Sequence, residues 1–343
     1  MSTTDSHVAA AALLAGRMVI LPTETVYGLA ARADDAEAVA RIYTAKGRPL
    51  DHPVIVHVAS ADGALDVTSP HAWASDVPDY AVALAEAFWP GPMTLVLPRA
   101  PRSADYLTGG QDTVALRVPG HPLAREVLAC MDEMEPDGAP HGVAAPSANR
   151  FGRVSATTVE HAVEELVDAM DFDHDVALDG GESGVGVEST IIDCTGEVPR
   201  ILRPGGVSAA DVERVTGLVT AETGRGIRVP GALPSHYAPV AHLVLVPDGA
   251  ALCAVVDSST EAGLEARSVG IIAPAELDTP VGAVRLLAPS SHADYARGLY
   301  AAMRSADAGG LRMIVAIPPE PDDDGIGDAV ADRLRRAAAP RPS

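Results

Sequence analysis

Lysine is almost missing from this chain: of 25 basic residues among 343, only Lys46 is not arginine. Aromatic residues make up 3%, too few for the stacking platform on which single-stranded nucleic acid is laid out. The three cysteines, Cys130, Cys194 and Cys253, are odd in number and far apart. That excludes a disulfide framework and a zinc knuckle, and leaves three expected core thiols. No stretch approaches the roughly 18 apolar residues of a membrane span, and the apolar run from Ala9 to Ala15 follows acidic Asp5, unlike a signal peptide with its basic start. A cytoplasmic protein without membrane association is therefore expected. Net positive charge is absent as well: the formal net charge is -22, spread along the chain, which disfavours wholesale adhesion to nucleic acid or an anionic membrane. Any polyanion has to be met at a local basic site.

What is present fits an ordinary globular protein, with 47% hydrophobic and 21% charged residues. The length exceeds the roughly 250 to 300 residues at which one core stops growing, so two domains are expected. Helical spacing and capping residues predict helices from Ser6 to Gly16, from Asp34 or Asp35 to Lys46, over 79–88, over 121–131 and over 157–170. Strand signals fall at 18–21, 53–58, 93–97, 113–118, 143–145, 176–178, 190–193 and 201–202. This mixture predicts an α/β domain over residues 1–217. Gly224, Gly226, Pro230, Gly231, Pro234 and Pro239 mark 218–241 as a linker. Beyond it, strands at 242–246, 269–272, 283–287 and 313–317 alternate with helices at 292–306 and near 328–339, a pattern for a small parallel, Rossmann-like second domain over 242–343.

The chemistry concentrates in the first part. Lys46 and Arg48 flank Gly47 and offer a compact charge and a planar fork to a polyphosphate, while the glycine lets the backbone approach. This is no Walker loop, since the Gly-Lys-Ser/Thr order is missing, and Gly184-Val185-Gly186 lacks the third glycine of a dinucleotide fingerprint. The turn Pro22-Thr23-Glu24-Thr25 leaves a strand end, where open α/β sheets place ligands. His52 and His57 follow within eleven residues of Lys46. Arg117 ends a strand and can clamp a carboxylate or form an exposed ion pair. Ser147, Asn149, Ser155 and Thr157 lie in turns that either cap helices or bind anions. Ser189 and Arg203 add a hydroxyl and a cation at strand ends. No Ser-His-Asp order, metal-binding His-Glu-x-x-His or paired cysteine site is found.

Taken together, Pro22-Thr23-Glu24-Thr25-Val26-Tyr27-Gly28, Lys46-Gly47-Arg48-Pro49, His52-Pro53-Val54-Ile55-Val56-His57, Trp89-Pro90-Gly91-Pro92, Arg117-Val118-Pro119, Pro146-Ser147-Ala148-Asn149 and Ser189-Thr190-Ile191 resemble the YrdC/Sua5 family. The ending from Gly325 to Leu334 resembles the close of the extra domain of the long, Sua5 type. The resemblance implies a YrdC-like twisted mixed-sheet catalytic domain and an L-threonylcarbamoyladenylate synthase, using L-threonine, bicarbonate or CO2, and ATP with Mg2+. The product would serve N6-threonylcarbamoyladenosine formation at tRNA position 37, through a downstream tRNA threonylcarbamoyl transferase complex. By resemblance, Thr25, His57, Arg117, Ala145 and Ser189 form the threonine pocket. Lys46, Arg48, His52, Thr113, Ser147, Asn149, Ser155, Arg203 and Tyr237 would contact ATP, with Lys46 and Arg48 catalytic, and residues 230–239 would fold over the site as a lid. Two other readings are a related carbamoyl-adenylate-forming enzyme, whose cysteine-rich zinc modules this chain lacks, and an RNA-binding module of the same fold, against which the net charge speaks. Direct binding of tRNA is left open.

Overall fold

The computed structural model describes residues 2–136, 139–221, 226–261, 268–321 and 325–340; Gly224 of the expected linker lies outside them. Ten strands in chain order, β1 (Ser2–Thr3), β2 (Val19–Leu21), β3 (Gly28–Arg32), β4 (Ile55–Val58), β5 (Met93–Pro98), β6 (Thr113–Arg117), β7 (Gly142–Ala144), β8 (Val176–Leu178), β9 (Thr190–Asp193) and β10 (Arg200–Arg203), form one sheet. Its order is β1-β8-β2-β3-β7-β4-β6-β5-β9-β10, with parallel and antiparallel pairs mixed. Strand alternation sets two different faces. Val54, Val56, Val58, Val114 and Leu116 enter the main core beneath the helices Ala36–Lys46, Asp79–Phe88 and Val159–Leu166. On the opposite face, the helices Ser6–Leu14 and Pro122–Met134 cover one end of the sheet. At the other end Ile55, Val96, Ala115 and Ile191 meet Val229 of the segment following the first sheet. The middle of this second face is left for the site.

A separate four-stranded sheet, β11 (His242–Leu245), β12 (Val269–Ile272), β13 (Ala283–Leu287) and β14 (Met313–Ala316), is parallel throughout, in the order β11-β14-β12-β13. Helices His292–Ala308 and Ile326–Ala338 cover one face, and Gly249–Glu261 packs with Val246, Ile271 and Val315 on the other. The first of these cores continues into the larger unit: Val26, Val154 and Val187 share it with Tyr295, Leu299 and Tyr300. A Cβ at Gly186 would run into the backbone of Ala296 and Arg297, so glycine is what lets the helix His292–Ala308 lie this close.

Two expectations need correction. Cys130 and Cys194 are buried, but Cys253 is exposed on the helix Gly249–Glu261. The helix predicted over 157–170 is shorter, Val159–Leu166: Thr158 caps its start, its side chain accepting from the His161 N–H, and it ends before Val167.

Candidate active site

The site is assembled from loops and strand ends on the open face of the large sheet. In the turn after β2, Thr23 Oγ1 donates its single proton to the Val26 carbonyl at 2.5 Å, so Thr25 must donate in the 2.9 Å contact between the two hydroxyls. Thr25 in return accepts from Arg117 Nη1 at 2.9 Å. Arg117 and His57 are register neighbours on parallel strands β6 and β4, which brings both side chains to the same face. Arg117 is buried and pairs with Glu24 at 2.6 Å, not with a surface partner as one reading of the sequence allowed. Burial alone would raise the Glu24 pKa, but the adjacent Arg117 charge holds it below the usual carboxylate range. Burial, reinforced by Arg117, pushes His57 down to about 3. The ring is therefore neutral, and its Nδ1 is buried without a hydrogen-bond partner.

Lys46 closes the helix Ala36–Lys46, which Gly47 terminates in the left-handed region at φ 62°. The residue is 3% exposed, and its ammonium donates to the carbonyls of Ser147, at 2.5 Å, and Asn149. Arg48 turns the other way and donates to the carbonyls of Pro53, at 2.6 Å, and His52, at 3.3 Å. Among the described residues neither cation forms an ion pair with a carboxylate. Burial, with Arg48 nearby, depresses the Lys46 pKa well below its ordinary value, and burial lowers Arg48 to about 10. Opposite them, Arg203 holds the Ser189 carbonyl with Nε and Nη2 at 3.1 and 2.9 Å, and Ser189 Oγ lies 2.8 Å from Thr94 Oγ1.

Residues 230–239 roof this space. Arg203 Nη1 donates to the Pro230 carbonyl at 2.9 Å, His236 N–H donates to the Arg336 carbonyl, and Ala238 N–H donates to the Gly152 carbonyl. Tyr237 is 1% exposed, stacks on Tyr300 with ring centroids 5.8 Å apart, and has φ 61°. A bulky residue in that region is strained and must be held there by its surroundings. The cavity beneath keeps a free interior of about 40 Å³, room for a water or two. Four buried polar atoms at or beside it have no partner: His57 Nδ1, Asn149 Oδ1, His236 Nδ1 and Tyr237 OH.

Of the residues singled out from the sequence, Thr25, Arg48, His57, Arg117, Ala145, Ser147, Ser189, Arg203 and Tyr237 line this cavity. Lys46, Asn149 and Ser155 stand behind its wall. Thr113 opens β6 at the end opposite Arg117. His52 is half-buried and meets the edge of Phe151, which in turn meets His236. Glu188 and His236, assigned no role from the sequence, also line it. Tyr300 and Arg333, which approach from the second unit and bond Glu188, were not singled out.

Residues 11–205 match the Sua5, YciO and YrdC family model, described as telomere recombination, and residues 207–339 match the model of the threonylcarbamoyl-AMP synthase C-terminal domain. The threonylcarbamoyl-AMP synthase of Pyrococcus abyssi is 37% identical over 98% of this chain and 94% of its own length. That of Bacillus subtilis is 38% identical over 99% and 95%. The crystal structure of P. abyssi Sua5 complexed with L-threonine superposes with a TM-score of 0.84 at 35% identity, covering 97% of this chain and 94% of that one. Likeness of this extent, running through both sheets and the segment between them, makes the chain a member of the Sua5 family of threonylcarbamoyl-AMP synthases.

Proposed function

We propose that this site joins L-threonine, bicarbonate or CO2, and ATP without a protein nucleophile. The threonine amine takes up the one-carbon unit as a carbamate. A carbamate oxygen attacks the α-phosphorus of ATP, and pyrophosphate leaves. The observation that carries the reading is the pair of buried cations, Lys46 and Arg48, which bond carbonyl oxygens and, among the described residues, pair with no carboxylate. A buried unpaired ion costs several kcal/mol even after relaxation, and a triphosphate supplies the missing anion. Phosphoryl transfer needs little else from a protein than position and charge stabilisation.

Threonine fits the other end of the cavity. The Arg117 fork has N–H groups beyond those given to Glu24, Thr25 and Gly91 and can take the carboxylate. Thr25, His57, Ala145 and Ser189 surround it, and the unpartnered His57 Nδ1 offers a hydrogen bond to a polar group of the substrate, as donor or acceptor according to the ring's tautomer. Arg48, Ser147, Arg203 and Tyr237 face the nucleotide, Lys46 turns its ammonium from the Ser147 and Asn149 carbonyls to the phosphates when ATP enters, and His52, Thr113, Asn149 and Ser155 support that end from behind. Among the described residues no group of three or more His, Cys, Asp or Glu is arranged to hold a metal. In this reading Mg2+ would come in on the phosphates of ATP, as that ion commonly does. The product would pass to a tRNA-modifying transferase acting at position 37, in the cytoplasm.

The free interior is too small for ATP, so residues 230–239 act as a lid that lifts to admit it. Incubation of the chain with ATP, Mg2+, bicarbonate and threonine should give pyrophosphate and threonylcarbamoyl-AMP by mass spectrometry. Pyrophosphate release at the same rate without bicarbonate would make this a conventional amino-acid adenylating enzyme and end the proposal.

A further inference from the structure

Glu188 stands at the junction of the two units, and its hydrogen bonds account for both of its oxygens. Oε1 accepts from Ser155 Oγ at 2.6 Å, while Oε2 accepts from Tyr300 OH at 2.9 Å and from Arg333 Nε at 3.0 Å. Arg333 is 0% exposed. Its Nη1 donates to the Pro204 carbonyl at 2.8 Å and to Asp332 at 3.0 Å, and its Nη2 reaches the Glu188 carbonyl at 3.4 Å. One side chain from the helix Ile326–Ala338 thus ties together the two strand ends that carry Ser189 and Arg203. Arg203 grips the next peptide unit, at Ser189, from the other direction.

A join between domains does not need this. The interface already has an apolar core, with Val26, Val154 and Val187 among Leu299, Tyr300 and Met303. An ion pair buried beside it pays desolvation that hydrophobic residues of the same volume would avoid. What the charges add is orientation. Ser155 has one hydroxyl proton and spends it on Glu188, so it can meet a ligand or its neighbours only as an acceptor.

We propose that Arg333 and Tyr300, from the second unit, are positioning residues for the nucleotide end of the site: they fix Glu188, and through it Ser155, Ser189 and Arg203. The inference rests on the reading that Ser155 and Arg203 serve ATP. Burial alone would raise the Glu188 pKa, but Arg333, then Arg203 and the Ser155 hydrogen bond, bring it down to about 2. The groups facing it are Arg333, Asp332, Arg203, Ser155, Tyr300 and, from the roof, Tyr237 and His236. With Arg333 removed, burial dominates and Glu188 takes up a proton at higher pH.

The test uses the full chain as wild type, Arg333→Met, Arg333→Lys and Tyr300→Phe, with ATP affinity by calorimetry and pyrophosphate release from pH 5 to 8. Arg333→Met should weaken ATP binding about tenfold or more and introduce a loss of rate below neutral pH that the wild type does not show. Arg333→Lys should recover part of both. A folded Arg333→Met protein with wild-type ATP affinity and an unchanged pH profile overturns the inference. If that variant does not fold, Tyr300→Phe, which keeps the ring and its packing, decides: a loss of about threefold or more in ATP affinity supports the inference, and no change overturns it. A wild-type chain that fails to bind ATP refutes the nucleotide reading itself, whereas an active wild type with unaffected variants refutes only the role of Arg333 and Tyr300.

Discussion

Lys46 differs from the chain's arginines in what surrounds it. Its ammonium sits between two carbonyls in a space that takes a compact charge, and an arginine fork there would have to displace the Ser147 to Asn149 turn. Lys46→Ala should keep its fold and lose a factor of about a hundred to a thousand in kcat, since one preorganised donor to developing charge is worth about 2.7 to 4 kcal/mol. Lys46→Arg should be nearly as poor; a fully active Arg variant, measured by pyrophosphate release, removes the special role of this position. The two buried histidines give a second expectation. His57 and His236 are held near 3 by burial, whereas in the unfolded chain they titrate near the ordinary 6.5. Between those values the unfolded state binds more protons, so their contribution is complete above pH 6.5 and is lost as pH falls. Denaturant unfolding between pH 7.5 and 5 should show stability falling below pH 6.5, at a slope of order 1 kcal/mol per pH unit for each ring. A flat profile down to pH 5 would contradict neutral burial. The sequence marked Lys46 by its scarcity and Arg117 and Arg203 by their places at strand ends; the last two line the cavity with Arg48, while Lys46 stands behind its wall. The Glu188 network was not legible there, because its partners Tyr300 and Arg333 lie more than a hundred residues away.

At the level of elements, the strands with β-branched runs were readable: β4 carries Ile55-Val56-His57-Val58, and β9 and β14 are as plain. Strand β3 was not, because Gly28-Leu29-Ala30-Ala31-Arg32 has little strand preference of its own. It is extended because β2 and β7 pair with it on either side, and a Cβ at Gly28 would meet that of Ala145 at 3.2 Å. The helix Ala209–Thr216 did carry a signal, a capping box between Ser208 and Asp211. So did the helix Ile326–Ala338: Arg333 lies on the buried stripe of Ala329, Val330, Leu334 and Ala337, and a charge in an apolar stripe asks for a partner. The roof is the element whose function is easiest to probe. Tyr237→Ala removes a buried ring that stacks on Tyr300 and lies 5.4 Å from the Arg333 guanidinium. It should weaken apparent ATP affinity about tenfold while leaving the unfolding of the large sheet a single transition; unchanged affinity would mean that the roof does not touch nucleotide.

For the molecule as a whole, a chain ending at Gly217 keeps the main core complete but loses the roof, Tyr300 and Arg333 together. It should fold, expose Val26, Val154 and Val187, and turn over at least about tenfold more slowly than the full chain, because closure and water exclusion go with the missing part. Turnover at the full rate would reduce the second unit to an accessory. The scarcity of lysine has a use here. Lys46 is the one side-chain amine in 343 residues, and it is shut away under the roof with its proton loosely held. An amine-directed acylating reagent therefore has a single side-chain target, whose labelling rate, followed by peptide mass, clocks how often the roof lifts. Labelling should be slow in the closed chain, faster in Tyr237→Ala, and suppressed when ATP occupies the opened site, giving a motion detector that requires no engineered probe.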